Sequence, residues 1–171
     1  NGDHLITISL LKYDINTHSY SIFREVGLEQ VQGCVVFHRK SNSIYITGGQ
    51  SLTYLALATV QMFNVSSETW STAIAPMNIA RIDHGCATDP RTQSIFVFAG
   101  NGSEIERYFI SNNSWAILNV RFQIVYNVMA CVTFPTTTGN IFCLGQEYYG
   151  KSSINVIINV IIFNTDTLTI D

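Results

Sequence analysis

Charged side chains are scarce in this sequence. Asp, Glu, Lys and Arg make up 12% of the 171 residues, against about 25% in an ordinary soluble domain. The net charge is −3 and no run of basic residues occurs. This argues against a nucleic-acid-binding surface, because nothing would neutralise the phosphates. Hydroxyl and amide groups, glycans or neighbouring subunits must therefore solvate or cover much of the surface.

Long apolar runs are also absent. The longest one, Val156–Phe163, is β-branched and is interrupted by Asn159, and it is far shorter than the ~18 residues of a transmembrane helix. It predicts a buried strand instead. The sequence has no signal peptide and no initiating Met, so we expect a processed product or a piece of a longer protein.

Motifs of the common catalytic types are missing as well. There is no G-x-S-x-G nucleophile elbow, phosphate loop or dinucleotide fingerprint, no H-E-x-x-H pair, and no closely spaced cysteine pair of the zinc-binding kind. We therefore predict that the protein is not an enzyme and that it uses no metal and no other cofactor.

One phrase that is present recurs along the chain at intervals of about 50 residues. It begins with an aromatic residue and ends seven positions later, usually with another. The four copies are YDINTHSY at 13–20, FNVSSETW at 63–70, YFISNNSW at 108–115 and FNTDTLTI at 163–170. The polar middle of the phrase predicts a turn between two strands.

A second phrase alternates with the first. It occurs as GCVVFHRKSNSIYITGG at 33–49, GCATDPRTQSIFVFAG at 85–100 and ACVTFPTTTGNIFCLG at 130–145. Each copy places a polar turn before a β-branched and aromatic run, which predicts a β-hairpin. Gly48 and Gly49 end one such strand with a backbone that only glycine adopts cheaply. Together the two phrases predict units of four antiparallel strands, and no segment has helical periodicity.

This pattern resembles the kelch-repeat family. The features that carry the resemblance are Gly48-Gly49, the phrase at 13–20, Trp70, Trp115, and PMNIARIDHG at 76–85, which is similar to the family's lead into an inner strand. The resemblance implies an all-β fold, a kelch-type β-propeller of four-stranded blades. Each tryptophan is expected to start an outer strand and to pack on its own blade and on the next one.

We expect about three and a half blades, and hence a partial propeller. Residues 1–28 predict a partial blade, 29–76 and 77–123 two whole blades, and 124–171 an incomplete one. Closed propellers have roughly four to eight blades. The remaining blades are therefore expected from a longer chain or from another copy of the protein.

The four cysteines allow two disulfides. Cys34, Cys86 and Cys131 occupy the same position in the three copies of the second phrase. We therefore expect them in successive blades, too far apart to bond to one another. Cys131 and Cys143 flank one hairpin symmetrically. They are predicted to be either small buried side chains or a disulfide across two strands.

Candidate binding residues lie in loops and near the expected channel. The connections 50–58 and 146–153 carry Tyr54, Tyr148 and Tyr149, which are typical interface anchors, although Tyr54 packed under its own loop is the alternative. The resemblance places His84 and Arg81 near the central channel, where ligands often bind. The alternative there is a structural hydrogen bond from Arg81 to a neighbouring blade.

Three Asn-x-Ser sequons begin at Asn64, Asn101 and Asn112, all in predicted loops. Taken together with the low charge and the possible disulfide, they favour a secreted glycoprotein, and a cytoplasmic protein is the alternative.

We thus predict a non-enzymatic propeller that serves as a binding or structural interaction module. It would hold a protein or a glycan through its loop face, with no nucleic acid and no membrane span. The alternatives are a catalytic propeller of the copper-oxidase or glycan-active kind and a self-assembling extracellular structural protein.

Overall fold

The computed structural model describes residues 8–26, 31–71, 73–123, 128–134, 139–148 and 156–171. Within these ranges the protein has fourteen β-strands and no helix. Sheet I contains β1 (Ile8–Asp14) and β2 (Ser19–Val26). Sheet II contains β3 (Cys34–His38), β4 (Ser43–Thr47), β5 (Val60–Asn64) and β6 (Thr69–Ser71). Sheet III contains β7 (Gly85–Asp89), β8 (Ser94–Phe98), β9 (Glu104–Phe109) and β10 (Ser114–Arg121). Sheet IV contains β11 (Val128–Thr133), β12 (Asn140–Tyr148), β13 (Val156–Asn164) and β14 (Thr169–Ile170).

The strands of every sheet are antiparallel and follow one another in chain order. The first strand of sheet III, β7, lies next to the first strands of sheets II and IV, β3 and β11. Sheets II, III and IV therefore pack side by side, with their first strands together at one end.

The repeated eight-residue phrase forms the turn between the last two strands of each sheet. Its first and last residues face each other across the strands in all four copies: Tyr13–Tyr20, Phe63–Trp70, Tyr108–Trp115 and Phe163–Ile170. In the first three copies the ring centroids are 4.7, 5.0 and 5.0 Å apart. The phrase recurs because each sheet needs this cross-strand pair beside its turn.

The residue after the first aromatic caps the turn in three copies. The Oδ1 atoms of Asp14, Asn64 and Asn164 accept hydrogen bonds of 2.8–3.1 Å from the backbone N–H groups two and three positions on. Near the end of each turn one residue has a positive φ of 51–55°, and these residues are His18, Glu68, Asn113 and Leu168. A left-handed residue there matches the twist of the two strands it connects.

Aromatic side chains form the contact between neighbouring sheets. The Phe163 ring of sheet IV lies 5.5 and 5.4 Å from the rings of Phe96 and Phe98 in sheet III. At the equivalent place, Tyr108 of sheet III lies 6.0 Å from Tyr45 of sheet II. Sheets III and IV thus each present the first aromatic of their phrase to the sheet before them.

The tryptophan contacts correct one expectation. The Trp115 indole N–H donates to the carbonyl oxygen of Ala75 at 2.8 Å, and Ala75 precedes sheet III. The Asn113 side chain also binds this segment, through its Oδ1 to the Ala75 N–H at 2.8 Å and its Nδ2 to the Ala73 oxygen at 3.1 Å. Trp115 therefore packs towards the preceding sheet. The expectation that it packs on the next blade is wrong.

A disulfide joins Cys34 to Cys86, with Cα atoms 5.9 Å apart, so the prediction that these residues lie too far apart is wrong. Phe37 in the first hairpin of sheet II is equivalent to Thr88 in that of sheet III, because they pair with Ile44 and Ile95. The equivalent of Cys86 is therefore Val35, and Cys34 lies one position before it. Because side chains alternate along a strand, this offset turns Cys34 towards sheet III and Cys86 towards sheet II.

Cys131 and Cys143 stand directly opposite each other on β11 and β12. The structure joins them in a disulfide, with an S–S distance of 2.13 Å and Cα atoms 4.1 Å apart. This bridge lies within sheet IV, whereas Cys34–Cys86 links two sheets.

We expect the double substitution Cys34→Ser and Cys86→Ser to lower the free energy of unfolding by about 4 kcal/mol, because it releases a long closed loop in the unfolded chain. Urea unfolding without reductant measures the loss. The Cys131→Ser and Cys143→Ser pair, which keeps the bridge between sheets, is the control, with an expected loss of about 3 kcal/mol. A loss below ~1 kcal/mol for the first pair would contradict a structural role for that bridge.

Candidate functional site

The connection between β4 and β5, residues 50–58, is anchored at its base by backbone hydrogen bonds. Gln50 and Val31 exchange bonds of 2.6 and 3.0 Å, and the Leu57 N–H donates to the Gly49 oxygen at 2.8 Å. Leu57 in turn accepts from the Arg81 N–H at 2.9 Å. The base is thus held from both sides by chain segments outside the loop.

The tip of this connection exposes apolar side chains. Tyr54 is 82% exposed, Leu55 66% and Leu52 41%. Ser51 closes the tip, since its oxygen accepts from the Tyr54 N–H and its N–H donates to the Leu55 oxygen, both at 2.9 Å. Tyr54 has a φ of 63°, which points to a defined turn. The alternative that Tyr54 packs under its own loop is therefore wrong.

Arg81 connects this loop to sheet III from the interior. The residue is 0% exposed, and its guanidinium binds Glu106 Oε2 through Nε at 3.1 Å and donates to the Ala99 carbonyl oxygen through Nη1. Burial lowers the pKa of Arg81, and the Glu106 charge opposes that shift. The buried carboxylate also accepts from the backbone and side-chain N–H groups of Asn78, at 2.7 and 3.0 Å. The Glu106 carboxylate is therefore well hydrogen-bonded, whereas the buried Nη2 of Arg81 has no partner among the described residues.

His84 lies beside Arg81 and is equally enclosed. Its Nε2 is 2.9 Å from the Thr47 hydroxyl. Burial, and then the positive charge of Arg81, lower its pKa to about 4. Gly48, with a φ of 56°, makes room for the ring, since a Cβ there would lie 2.6 Å from His84 Cε1. These contacts hold Arg81 and His84 in the packing between sheets II and III, and a ligand-binding role for either residue stays a prediction.

The remaining candidates are placed as follows. Tyr148 lies in β12 and pairs with Val156, so Gln146–Tyr148 belong to a strand, which corrects the loop predicted at 146–153. Tyr149 lies outside the described residues. Asn101 and Asn112 are exposed, and Asn64 is half-buried.

Sequence reasoning did not find Glu106, the partner of Arg81. The sequence did carry a signal for it: Glu106 lies within a strand that continues with the aromatic residues Tyr108 and Phe109. A charge buried in such a strand requires a partner. Among the described residues no three His, Cys, Asp or Glu side chains form a group that could hold a metal ion. In the same part of the chain, no helix has the length and apolarity needed to cross a bilayer.

No protein-family model matches the chain. A kelch repeat-containing protein of Dictyostelium discoideum is 24% identical over 121 residues, which cover 64% of this chain and 18% of that protein. The solved structure of YjhT matches 94% of this chain and 50% of its own length, with a TM-score of 0.72 and 12% identity. The chain is a partial kelch-type β-propeller.

The resemblance to the kelch-repeat family and the predicted fold are thereby confirmed. Sheets II, III and IV are blades of the propeller. The chain spans less than a fifth of the curated relative and half of the YjhT chain. The exposed loop tip formed by Leu52, Tyr54 and Leu55 is the candidate functional site.

The propeller should lose stability in acid because of His84. Its pKa is 6.5 when exposed and about 4 in the fold, so the unfolded chain binds the proton more readily between these values. Stability contributed by the neutral ring is complete above pH 6.5 and falls as the pH drops towards 4, by on the order of 3 kcal/mol. Urea unfolding across this range measures the slope.

The variant His84→Gln should show a flatter pH dependence over the same range, whatever its absolute stability. His18→Gln, at an exposed turn, is the matched control and should keep the slope of the unsubstituted chain. Equal slopes for all three proteins would contradict the assignment to His84.

Proposed function

We propose that this part of the propeller is a non-enzymatic interaction module that holds a partner protein through the loop tip of Leu52, Tyr54 and Leu55. The exposure of Tyr54 is the observation that carries the proposal. Tyrosine and leucine side chains in solvent cost free energy that a partner surface would recover, and tyrosine is enriched among the residues that dominate binding energy.

The construction of the loop supports this role. Its base is tied to Val31 and Arg81, and Arg81 is tied to Glu106 in the next blade. A loop held in this way loses little conformational entropy when a partner binds. The resemblance to kelch-repeat proteins also supports this role, because loops held on a rigid scaffold often carry binding residues.

Capture of partner proteins before and after substitution of the tip tests the proposal. We expect Tyr54→Ala with Leu55→Ala to abolish a capture that the unsubstituted protein shows, with a change in melting temperature below about 2 °C, since both side chains are exposed. The matched control is Ile15→Ala with Ile22→Ala, because these side chains are similarly exposed in sheet I and its turn, and neither belongs to the Tyr13–Tyr20 pair. Equal capture by the loop variant, or a fall in melting temperature above about 5 °C, contradicts the proposal.

We further propose that the module works outside the cytoplasm. The two disulfides support this, because such bonds persist in oxidising compartments. Exposed Asn101 and Asn112 would then carry N-linked glycans. Asn64 is the poorest acceptor of the three, since its Oδ1 caps a turn and the hydroxyl of Ser66 accepts from Asn42 Nδ2 at 2.8 Å.

Expression through a eukaryotic secretory pathway tests the glycan assignment. We expect a product with two N-linked glycans that glycosidase removes, and a stepwise loss of mass in Asn101→Gln and Asn112→Gln, with no change in Asn64→Gln. A glycan on Asn64 alone, or on none of the three, would contradict it.

A further inference from the structure

A groove of about 400 Å³ opens at the other end of the strands from the loop tip. β4 begins beside the turn at 39–42 and ends beside the loop at 50–58, so the hairpin turns and the loop tip lie at opposite ends. The groove runs between the first hairpins of sheets II and III and reaches the end of β11. Its lining includes Phe37, His38, Arg39, Lys40, Gln93 and Thr133.

The groove is positively charged in a protein with few charges. Arg39 and Lys40 are exposed on its wall. The ion pairs found among the described residues involve Arg81 and Arg91 and neither of these two. No acidic residue is found among the groove's described lining. An anion entering it would therefore meet two uncompensated charges.

His38 adds a directed donor at the base of the groove. The Ser41 N–H donates to its Nδ1 at 3.3 Å, and the Ser41 hydroxyl lies 2.8 Å from the same atom. Nδ1 is therefore an acceptor, as the carboxylate of Asp89 is in the equivalent turn of sheet III. Burial lowers the His38 pKa, so the ring is neutral at pH 7 and its one proton sits on Nε2.

Among the described residues, His38 Nε2 makes no hydrogen bond of good geometry. His38 is only 3% exposed, and an unpaired donor at such a site costs free energy. The Gln93 side chain of the next hairpin is a weak hydrogen-bond partner of the His38 ring and opposes the lowering of its pKa, while the Gln93 Nε2 donates to the Pro90 carbonyl oxygen. Movement of Gln93 would open Nε2–H to an acceptor in the groove.

The rest of the lining suits a sugar. The Phe37 ring is 48% exposed on the groove wall and offers a face for a pyranose ring. Thr88, Thr133 and Gln93 supply hydroxyl and amide groups for sugar hydroxyls.

We propose that this groove binds an acidic oligosaccharide, whose sulfate or carboxylate groups lie against Arg39, Lys40 and the Nε2–H of His38. The site is separate from the loop tip and does not depend on the partner proposed there.

Calorimetric titration of the full chain with a heparin octasaccharide tests this proposal. We expect a Kd in the micromolar range in 50 mM salt, about tenfold weaker binding after Arg39→Gln with Lys40→Gln, and no comparable binding of uncharged maltooctaose. The charge-matched control is Lys12→Gln with Arg121→Gln, at exposed positions on β1 and β10, with an expected change below twofold.

A second variant isolates the histidine. His38→Asn keeps an acceptor for the Ser41 N–H, as Asn64 does in its own turn, but removes the Nε2–H donor. We expect an unchanged melting temperature and about threefold weaker octasaccharide binding.

Three results would overturn the proposal: no binding in 50 mM salt, equal weakening by both charge-removing pairs, or equally tight binding of an octaglutamate peptide. The second result would mean that general electrostatic attraction is responsible, and the third that the groove takes an acidic peptide. Loss of octasaccharide binding with retained partner capture, in the Arg39 and Lys40 variant, would separate this site from the loop tip.

Discussion

Burial of both faces of a sheet is the constraint on which this structure depends. Every residue of β8 is buried, with Ile95 and Val97 towards sheet II and Phe96 and Phe98 towards sheet IV. A sheet that is apolar on both faces cannot stand alone in water and must have a neighbour on each side. Sideways repetition of equivalent sheets satisfies that requirement. The first aromatic of the phrase supplies the contact between sheets II and III and between sheets III and IV.

Polar contacts then fix how neighbouring blades sit on each other. Arg81 belongs to the connection between blades, binds the loop base with its backbone and binds Glu106 with its side chain. A buried pair of this kind contributes little net stability, because desolvation of the two charges offsets their attraction. Its effect here is to give the exposed Tyr54 a rigid base. The groove at the other end of the strands lies between two hairpins that the same packing brings together.

Much of this fold could be predicted because its signals are local and repeat in phase. Turn chemistry and alternation place the strands, and Trp70 and Trp115 reveal the equivalent positions. The Cys34–Cys86 bridge could not be predicted from the sequence, because a one-residue offset between two hairpins decides which way each side chain points. The partner of Arg81 and the exposure of Tyr54 depend on tertiary packing between segments far apart in the chain, which no local pattern encodes.

The pairing of the cysteines reports directly on the packing of the blades. Peptide mapping of the non-reduced protein, purified under oxidising conditions with free thiols blocked, measures it. Side-by-side blades with β3 next to β7 predict peptides linked through Cys34–Cys86 and through Cys131–Cys143. Links from Cys34 to Cys131 or from Cys86 to Cys143 in the folded monomer would contradict the arrangement of sheets described above.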